Sequence, residues 1–392
     1  MENGNTMKSV IFKAPILTSS GYGVHSRQVF KYLLRKSKEL GFDLKVISTR
    51  WGGTPWILNS KDPIFEEIVK RIVGRVESKA DVSIQLLLPN EWEDLGKKNI
   101  GMTAGIETNM ASQKWIDCCK NVDEVIFPSE FSKNAFRNHE INNKLKVVPE
   151  SYPESFDEEI SSTDEDLIFS TKFNFLTVGQ ITHPDIGLDR KNLKKLITLF
   201  VKEFRDEEDV GLIVKTNMGT NTVFDNNKTV ALINNILKEV GERKCKIHVL
   251  HGNMTETQMR KLYTHKDVKA FVTLTHGEGF GLPILEAARL GLPVIAPNWS
   301  AHTEFLNLGK YVDLKTNIVK VPAEKCDEDM FVKGSNWCDV SKEVFSTRVR
   351  KFYQSPDVPT QWAKDLSEKI KQKYSQAAIE KEYDKVLEKY LK

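Results

Sequence analysis

The sequence predicts an α/β chain of two Rossmann-like, doubly wound domains that face a central cleft. Three observations lead there. Short β-branched runs alternate with longer stretches of helical period, the pattern of parallel strands interleaved with helices. The alternation runs once, is interrupted by a polar, acidic stretch at residues 154–166, and restarts. With 392 residues there is room for two or three domains of about 150 residues each.

In the first half, strands are expected at 9–16, 42–48, 82–88, 100–105, 124–127 and 144–148, with helices such as 24–40 and 64–73 between them. Residues 154–166 lack apolar periodicity and make the best linker. In the second half, strands are expected at 173–178, 211–215, 246–250, 270–274 and 293–296. All of these strands should be buried on both faces. Leu193, Leu196, Ile197, Phe200, Val201 and Phe204 make one apolar stripe on a helix, a core face and not a ligand box. Two stretches of the tail repeat that pattern: Trp362, Leu366 and Ile370, then Ile379, Tyr383, Val386, Leu387 and Tyr390. The expected divisions are 7–165, 166–360 and a tail, 361–392, that packs back on the first domain.

Composition narrows the function classes. With 40% hydrophobic and 28% charged residues the chain reads as soluble and globular. A net charge of +3 is too slight for a general polyanion binder. The five cysteines (Cys118, Cys119, Cys245, Cys326 and Cys338) form no C-x-x-C pair, so neither a disulfide framework nor a zinc knuckle is indicated. No apolar run approaches the roughly 20 residues that span a bilayer, and the N-terminus has no signal-peptide pattern. A cytoplasmic protein is expected.

The most informative stretch is THGEGFGLPILEAARLGLPVIAPN, residues 275–298. A strand ends, a loop with Gly277, Gly279 and Gly281 follows, and Pro283 is placed as the first helical residue. Free N–H groups at such a helix start suit an anionic or polyhydroxyl ligand, and the glycines let it come close. Glu278 in the loop and Glu286 in the helix offer two carboxylates, each able to accept both hydrogen bonds of a vicinal diol. Taken alone, the same glutamates have a plainer reading, one solvated and the other complementing the helix N-terminus.

The whole string resembles the E-x7-E signature of the retaining glycosyltransferases of family 4, the glycogen-synthase-like enzymes of GT-B fold. EVIFPSEFSKNAF at 124–136, FLTVGQ at 175–180, and the segments 252–263, 270–275 and 362–391 are similar to that family in order and spacing. The resemblance implies a nucleotide-sugar donor, UDP- or GDP-linked, held mainly by the second domain, with no further cofactor. The acceptor, a carbohydrate or other hydroxyl compound, would be held mainly by the first, and transfer would retain anomeric configuration. Glu286 would hold the ribose hydroxyls and Glu278 would lie against the donor sugar. Gly279, Phe280, Gly281 and Leu282 would offer backbone N–H groups. No metal is implied, since fixed cations and helix ends neutralise the leaving diphosphate. The family commonly places an Arg after the glycine of the first strand, where this chain has Gln180, so Arg190 or Lys191 must supply that charge, with Lys215 a further cation. Gly21 and Gly23, in SSGYGVHSRQV, would approach the donor phosphate and acceptor; an ordinary tight turn is the plain reading. His25 follows, a capping or surface residue more readily than a base. Where relatives carry a histidine, TAGIET at 103–108 has none, and Glu107 is the nearest substitute to polarise the sugar or receive the acceptor; a buried or capping carboxylate is the equal plain reading. Trp51, Trp56, Trp92 and Trp115 would supply either stacking surfaces or core.

Two rival readings stand beside this one. Basic clusters at 35–38 and 97–98, with the first-domain tryptophans, would suit a transferase that glycosylates a hydroxylated base in phage DNA; the plainer reading of those charges is a solvated face. A non-catalytic sugar-nucleotide binder is the other. A nicotinamide-dependent dehydrogenase fits poorly: the Gly21-x-Gly23 turn lacks the third glycine, and the second strand ends in Thr49 and Arg50 instead of an acid. The sequence leaves oligomeric state open.

Overall fold

The computed structural model describes residues 7–57, 62–158, 167–181, 183, 185 and 188–392. Most of the expected linker, and the expected boundary at 165/166, lie outside the described residues. In chain order the elements are β1 (Ser9–Ala14), α1 (Gly21–Leu40), β2 (Asp43–Ser48), α2 (Ile64–Val69), β3 (Ala80–Leu86), β4 (Gly96–Met102), α3 (Gln113–Lys120), β5 (Glu124–Phe127), α4 (Glu130–Ala135) and β6 (Leu145–Val147). There follow β7 (Phe173–Val178), α5 (Leu193–Phe204), β8 (Val210–Thr216), α6 (Val223–Val240), β9 (Lys246–His251), α7 (Glu256–Tyr263), β10 (Val268–Val272), α8 (Leu282–Arg289), β11 (Val294–Pro297) and α9 (His302–Leu306). The chain closes with β12 (Val312–Leu314), β13 (Thr316–Lys320), β14 (Asn336–Val340), α10 (Lys342–Gln354), α11 (Asp357–Tyr374) and α12 (Gln376–Leu391).

The chain divides into two compact units. Unit 1 holds the described parts of Met1–Ser151, together with Glu328–Val332 and Gln376–Lys392. Its sheet has the order β2-β1-β3-β4-β5-β6, all pairs parallel. Strand order reverses between β1 and β3, so the loops after these strands leave the carboxyl edge at the switch point, the usual ligand position in such sheets. Under the sheet, Trp115, Phe127 and Phe136 are fully buried among apolar neighbours. Helix α12 packs on α1, with Tyr383 buried and Tyr32 donating to Asp384 at 3.1 Å.

Unit 2 holds the described parts of Tyr152–Asp327 and Lys333–Ser375. Its sheet runs β12-β11-β10-β7-β8-β9, again parallel, with the switch point between β7 and β10. The stripe on α5 folds as expected: Leu193, Leu196, Ile197, Phe200, Val201 and Phe204 are all buried against β7 and β8. At about 1.5–3 kcal/mol for each buried apolar side chain, that face outweighs any helix propensity term. Phe175 anchors the cluster, its ring 5.6 Å from Phe200 and 5.4 Å from Phe204.

Several expectations shift. Burial on both faces holds for central strands such as β8 but not for the edge strands β2, whose residues alternate between buried and exposed, and β9, whose residues are mostly only partly buried. Helix 64–73 stops at Val69, and Ile72 forms an isolated bridge with Val46. The tail expected at 361–392 divides: α11 packs on α8 within unit 2, and α12 alone joins unit 1. The antiparallel β13–β14 hairpin was not anticipated, because no Asn-Gly or Asp-Gly turn joins its strands. Residues Glu328–Val332 of its connection belong to unit 1, where Asp329 pairs with Lys114 at 3.0 Å. Among the described residues no helix is long and apolar enough to cross a membrane.

Candidate active site

At the switch point of unit 2, three of the expected residues come together. After β7 the chain passes Gly179 and returns through Arg190, Lys191 and Asn192 into α5. A β-carbon on Gly179 would lie 3.4 Å from Cγ of Lys191, so the lysine stem runs across this glycine. Asn192 adopts the left-handed region, φ 56°, which Asn tolerates better than most non-glycine residues. The turn carries Lys191 to Glu278: its Nζ donates to the two carboxylate oxygens at 2.7 and 2.8 Å. Arg190 Nη1 donates to Gly277 O at 2.7 Å and to Glu278 Oε2 at 3.3 Å. His276 N–H donates to Arg190 O at 3.0 Å, pinning the loop after β10 to the loop after β7.

Glu278 is only 6% exposed. Burial alone would raise its carboxyl, but the charges of Lys191 and Arg190 overcome that and hold it at about 2. The carboxylate is therefore ionised and engaged by two cations. This differs from the expectation of an acid presented to a ligand: Glu278 lies beneath the cations and fixes where they stand.

Lys191 lines a cavity at the carboxyl ends of β7, β8 and β10, together with Gly179, Gln180, Asp189, Lys215 and Thr273. Lys215 is buried, its Nζ donating to Gly252 O at 2.6 Å and lying 3.3 Å from Asn217 Oδ1. Burial lowers its ammonium to about 8. Two lysines thus line one small cavity, which suits a compact anion. Gln180 sits in the same wall, where the charge expected of an arginine is absent.

Glu286 stands just over one turn into α8. The helix opens at Leu282 with Gly281 as its N-cap, so Pro283 is the second helical residue and not the first. Gly281 has φ 101°, and a β-carbon there would come within 3.1 Å of His302 Cβ, so both backbone and space require glycine. Phe280 turns inward against Phe305 and Tyr374, ring centroids 5.6 and 6.2 Å away, which leaves its backbone as the group that could meet a ligand. Gly279 is buried beside it. Glu286 is partly exposed, and its Oε2 accepts from the Tyr263 hydroxyl at 3.0 Å. Burial raises the Glu286 carboxyl to about 7, against the lowering effect of that hydrogen bond.

The remaining expected residues lie in unit 1. Gly21 and Gly23 form the first turn of α1, capped by Ser20, whose Oγ accepts from Gly23 N–H at 3.0 Å. Open space surrounds the Cβ direction of Gly21, whereas a β-carbon on Gly23 would strike Thr18 O. Tyr22 between them joins this turn to the loop of Glu107: its hydroxyl lies 3.0 Å from Thr103 Oγ1 and accepts from Ala104 N–H. Trp51 stacks on Tyr22 at 3.8 Å, Trp56 is exposed, and Trp92 and Trp115 pack with the core. His25 is buried with its Nε2 3.0 Å from the Tyr383 hydroxyl, so it ties α1 to α12. The basic clusters lie elsewhere. Arg35 pairs with Glu380 and Lys36 with Asp384, while Lys97 and Lys98 pair with Asp81 and Asp123 at 2.8 Å. Being at the end of α1 and the start of β4, they stand at the amino edge of the parallel sheet, opposite the Gly21–Gly23 turn.

Sequence reasoning missed Tyr263, Ser300 and His302. Ser300 Oγ accepts from Glu278 N–H at 2.9 Å, and His302 is fully buried behind it. No residue pattern signals this, since Ser300 matters through a backbone angle that sequence spacing does not show. Among the described residues, no three His, Cys, Asp or Glu side chains gather as a group that could hold a metal ion.

Comparisons with known proteins bear on the fold and on one region of the chain. Residues 168–327 match the family model described as "Glycosyl transferases group 1". A curated protein of the Sulfolobus islandicus filamentous virus, named "Putative glycosyltransferase 41", is 25% identical over 182 residues, 44% of this chain and 48% of that protein. The match thus spans about half the length of that relative. Among solved structures, a glycosyltransferase from Rickettsia africae superposes with TM-score 0.64 at 13% identity, covering 99% of both chains. Sucrose-phosphate synthase from Thermosynechococcus elongatus gives 0.63 at 12% identity, covering 97% of this chain and 98% of its own. Anabaena Alr3699/HepE, in complex with UDP and glucose, gives 0.60 at 11% identity, covering 97% and 100%. These likenesses identify the fold as GT-B, with two Rossmann-like units and a C-terminal helix.

Proposed function

We propose that this chain is a retaining glycosyltransferase that moves a sugar from a UDP- or GDP-sugar to a hydroxyl group of a carbohydrate or other acceptor, without a metal ion. One observation carries the reading: Lys191, locked with Arg190 onto buried Glu278, lines one cavity with Lys215 at the carboxyl ends of β7, β8 and β10, beside the switch point of the parallel sheet in unit 2. Sheets of this kind bind nucleotides there. The matched family region spans the same residues, and the Anabaena neighbour was solved with UDP-glucose.

In this reading the donor diphosphate lies against Lys191, Lys215 and Arg190, whose charges do the work that a divalent cation does elsewhere. Glu286 accepts from the ribose hydroxyls. Backbone N–H groups of Gly279, Phe280, Gly281 and Leu282 meet sugar hydroxyls and phosphate oxygens. Glu278 acts as a positioning residue, since both of its oxygens are taken by the cations. Glu107 and the Gly21–Gly23 turn, linked through Tyr22, are assigned to the acceptor side. The bond between the anomeric carbon and the diphosphate oxygen breaks, and its electron pair leaves with the diphosphate. The acceptor oxygen bonds to the same face of that carbon, and its proton passes to the departing phosphate oxygen. The protein contributes charge stabilisation and position, with no covalent intermediate.

The DNA-base reading loses its main support, because Arg35, Lys36, Lys97 and Lys98 are matched by carboxylates and stand at the far edge of the unit 1 sheet. The test is a panel of nucleotide sugars assayed for hydrolysis and transfer in EDTA. Release of UDP or GDP, with product of unchanged anomeric configuration, supports the reading. Binding without turnover on any donor would make the chain a sugar-nucleotide binder instead.

A further inference from the structure

Ser300 holds an uncommon conformation. Its φ is 82°, and among described non-glycine residues only Asn192 and Asn221 share a positive φ. Asn tolerates that region through its short amide side chain, whereas Ser at such an angle carries the steric cost that glycine avoids. A serine persists in such a conformation where the surrounding contacts over-determine it, and such residues gather at functional sites.

The contacts are continuous. Glu278 N–H donates to Ser300 Oγ at 2.9 Å, and Ala301 N–H donates back to Glu278 O at 3.3 Å. Ser300 Oγ lies 3.2 Å from His302 Nδ1, and His302 Nε2 lies 2.8 Å from Pro297 O. A carbonyl oxygen only accepts, so Nε2 carries the hydrogen; the buried ring is neutral, which makes Nδ1 an acceptor. The Ser300 hydroxyl must then donate to Nδ1, and its lone pairs are left aimed at Glu278 N–H. Glu278, Ser300 and His302 are 6%, 4% and 0% exposed, so water does not compete for this chain.

We propose that Ser300, oriented by His302, is a positioning residue for the glycosyl transfer reaction: it fixes the peptide of Glu278 and thereby the stance of Lys191 and Arg190. This rests on the transferase reading above. A glycine at 300 would relax the backbone, but it would leave the buried N–H of Glu278 without its acceptor. Stability and turnover should therefore part company.

The experiment compares wild type, Ser300→Gly and Ser300→Ala in the full chain, by donor hydrolysis with UDP-glucose and GDP-mannose, thermal melting, and amide hydrogen exchange at Glu278. Both variants lack the hydroxyl, and only S300A keeps the strain. The expected result is S300G melting several degrees above S300A, with kcat down on the order of 10- to 100-fold in both and donor KM changing less. Exchange at the Glu278 amide should rise at least about tenfold in both variants. If S300G keeps wild-type kcat while S300A loses it, turnover follows strain and the positioning role is overturned. Unchanged exchange with an active wild type also overturns it and leaves the transferase reading standing. A wild type inactive on both donors and the wider panel overturns that reading and the catalytic part of this inference together, while the exchange result still decides the hydrogen bond.

Discussion

Two residues of the site carry opposite departures from ordinary acid–base behaviour, and together they set a pH window. Glu286 is raised to about 7 and Lys215 lowered to about 8, both by burial. In the proposed function a carboxylate at 286 accepts from ribose hydroxyls and an ammonium at 215 meets phosphate. We therefore expect kcat/KM to be bell-shaped, with limbs near these values, and Glu286→Gln to remove the acid limb. The stability sign for Glu286 follows from its raised folded value. The native state resists ionisation, so its contribution falls as pH rises from the unfolded value near 4.5 through about 7. E286Q should melt above wild type at pH 8 and level with it below pH 4.5, as differential scanning calorimetry would show. Lys191→Met should destabilise by about 3 kcal/mol, because it leaves the Glu278 carboxylate buried with Arg190 alone. Adding Glu278→Gln should restore melting without restoring turnover; recovery of both would show that Lys191 serves the fold only. The pairing of Glu278 with Arg190 and Lys191 was not legible in the sequence, because 87 positions separate Lys191 from its partner. The residue types were legible; their engagement with each other was not.

At the scale of elements, the most regular signals were the most legible. The α5 stripe and the β5 and β7 limits matched the expected spans, since each combines strong periodicity with buried neighbours. The start of α8 was misplaced by one residue because its cap is a left-handed glycine, which sequence position alone does not distinguish from the glycines before it. Gly281→Ala should cost on the order of 1–3 kcal/mol, since φ 101° and the nearby His302 both oppose a β-carbon. It should also lower kcat by displacing the start of α8, measurable as a donor KM change smaller than the kcat change. The β13–β14 hairpin was invisible in the sequence, yet β14 braces the signature loop. Cys338 N–H donates to His276 O at 2.9 Å, and Trp337 stacks on the His276 ring at 4.2 Å. Trp337→Ala should loosen that loop and reduce turnover more than the exposed Val319→Ala on the neighbouring strand; equal effects from both would deny the bracing role.

Across the whole chain, the two-sheet plan was legible because alternation and the 154–166 interruption are long-range features of composition, while the partition of the tail was not. Both tail helices carry the same apolar period, and only packing shows that α11 covers α8 while α12 covers α1. Unit 1 thus depends on the last residues of the chain: Ile379, Tyr383, Leu387 and Leu391 are buried there. Removing residues 376–392 should uncover the matching face of α1 and lower the melting temperature of unit 1 while the unit 2 transition holds, resolved as two transitions by calorimetry. The catalytic claim itself rests on unit 2, and calorimetric titration of UDP, UDP-glucose and GDP into the full chain in excess EDTA tests it most directly. Binding by wild type that weakens at least about tenfold in Lys191→Met is the predicted result, as expected when one charged hydrogen-bond partner is lost. Equal affinity in the two proteins, or no heat of binding from any of the three nucleotides, would contradict it.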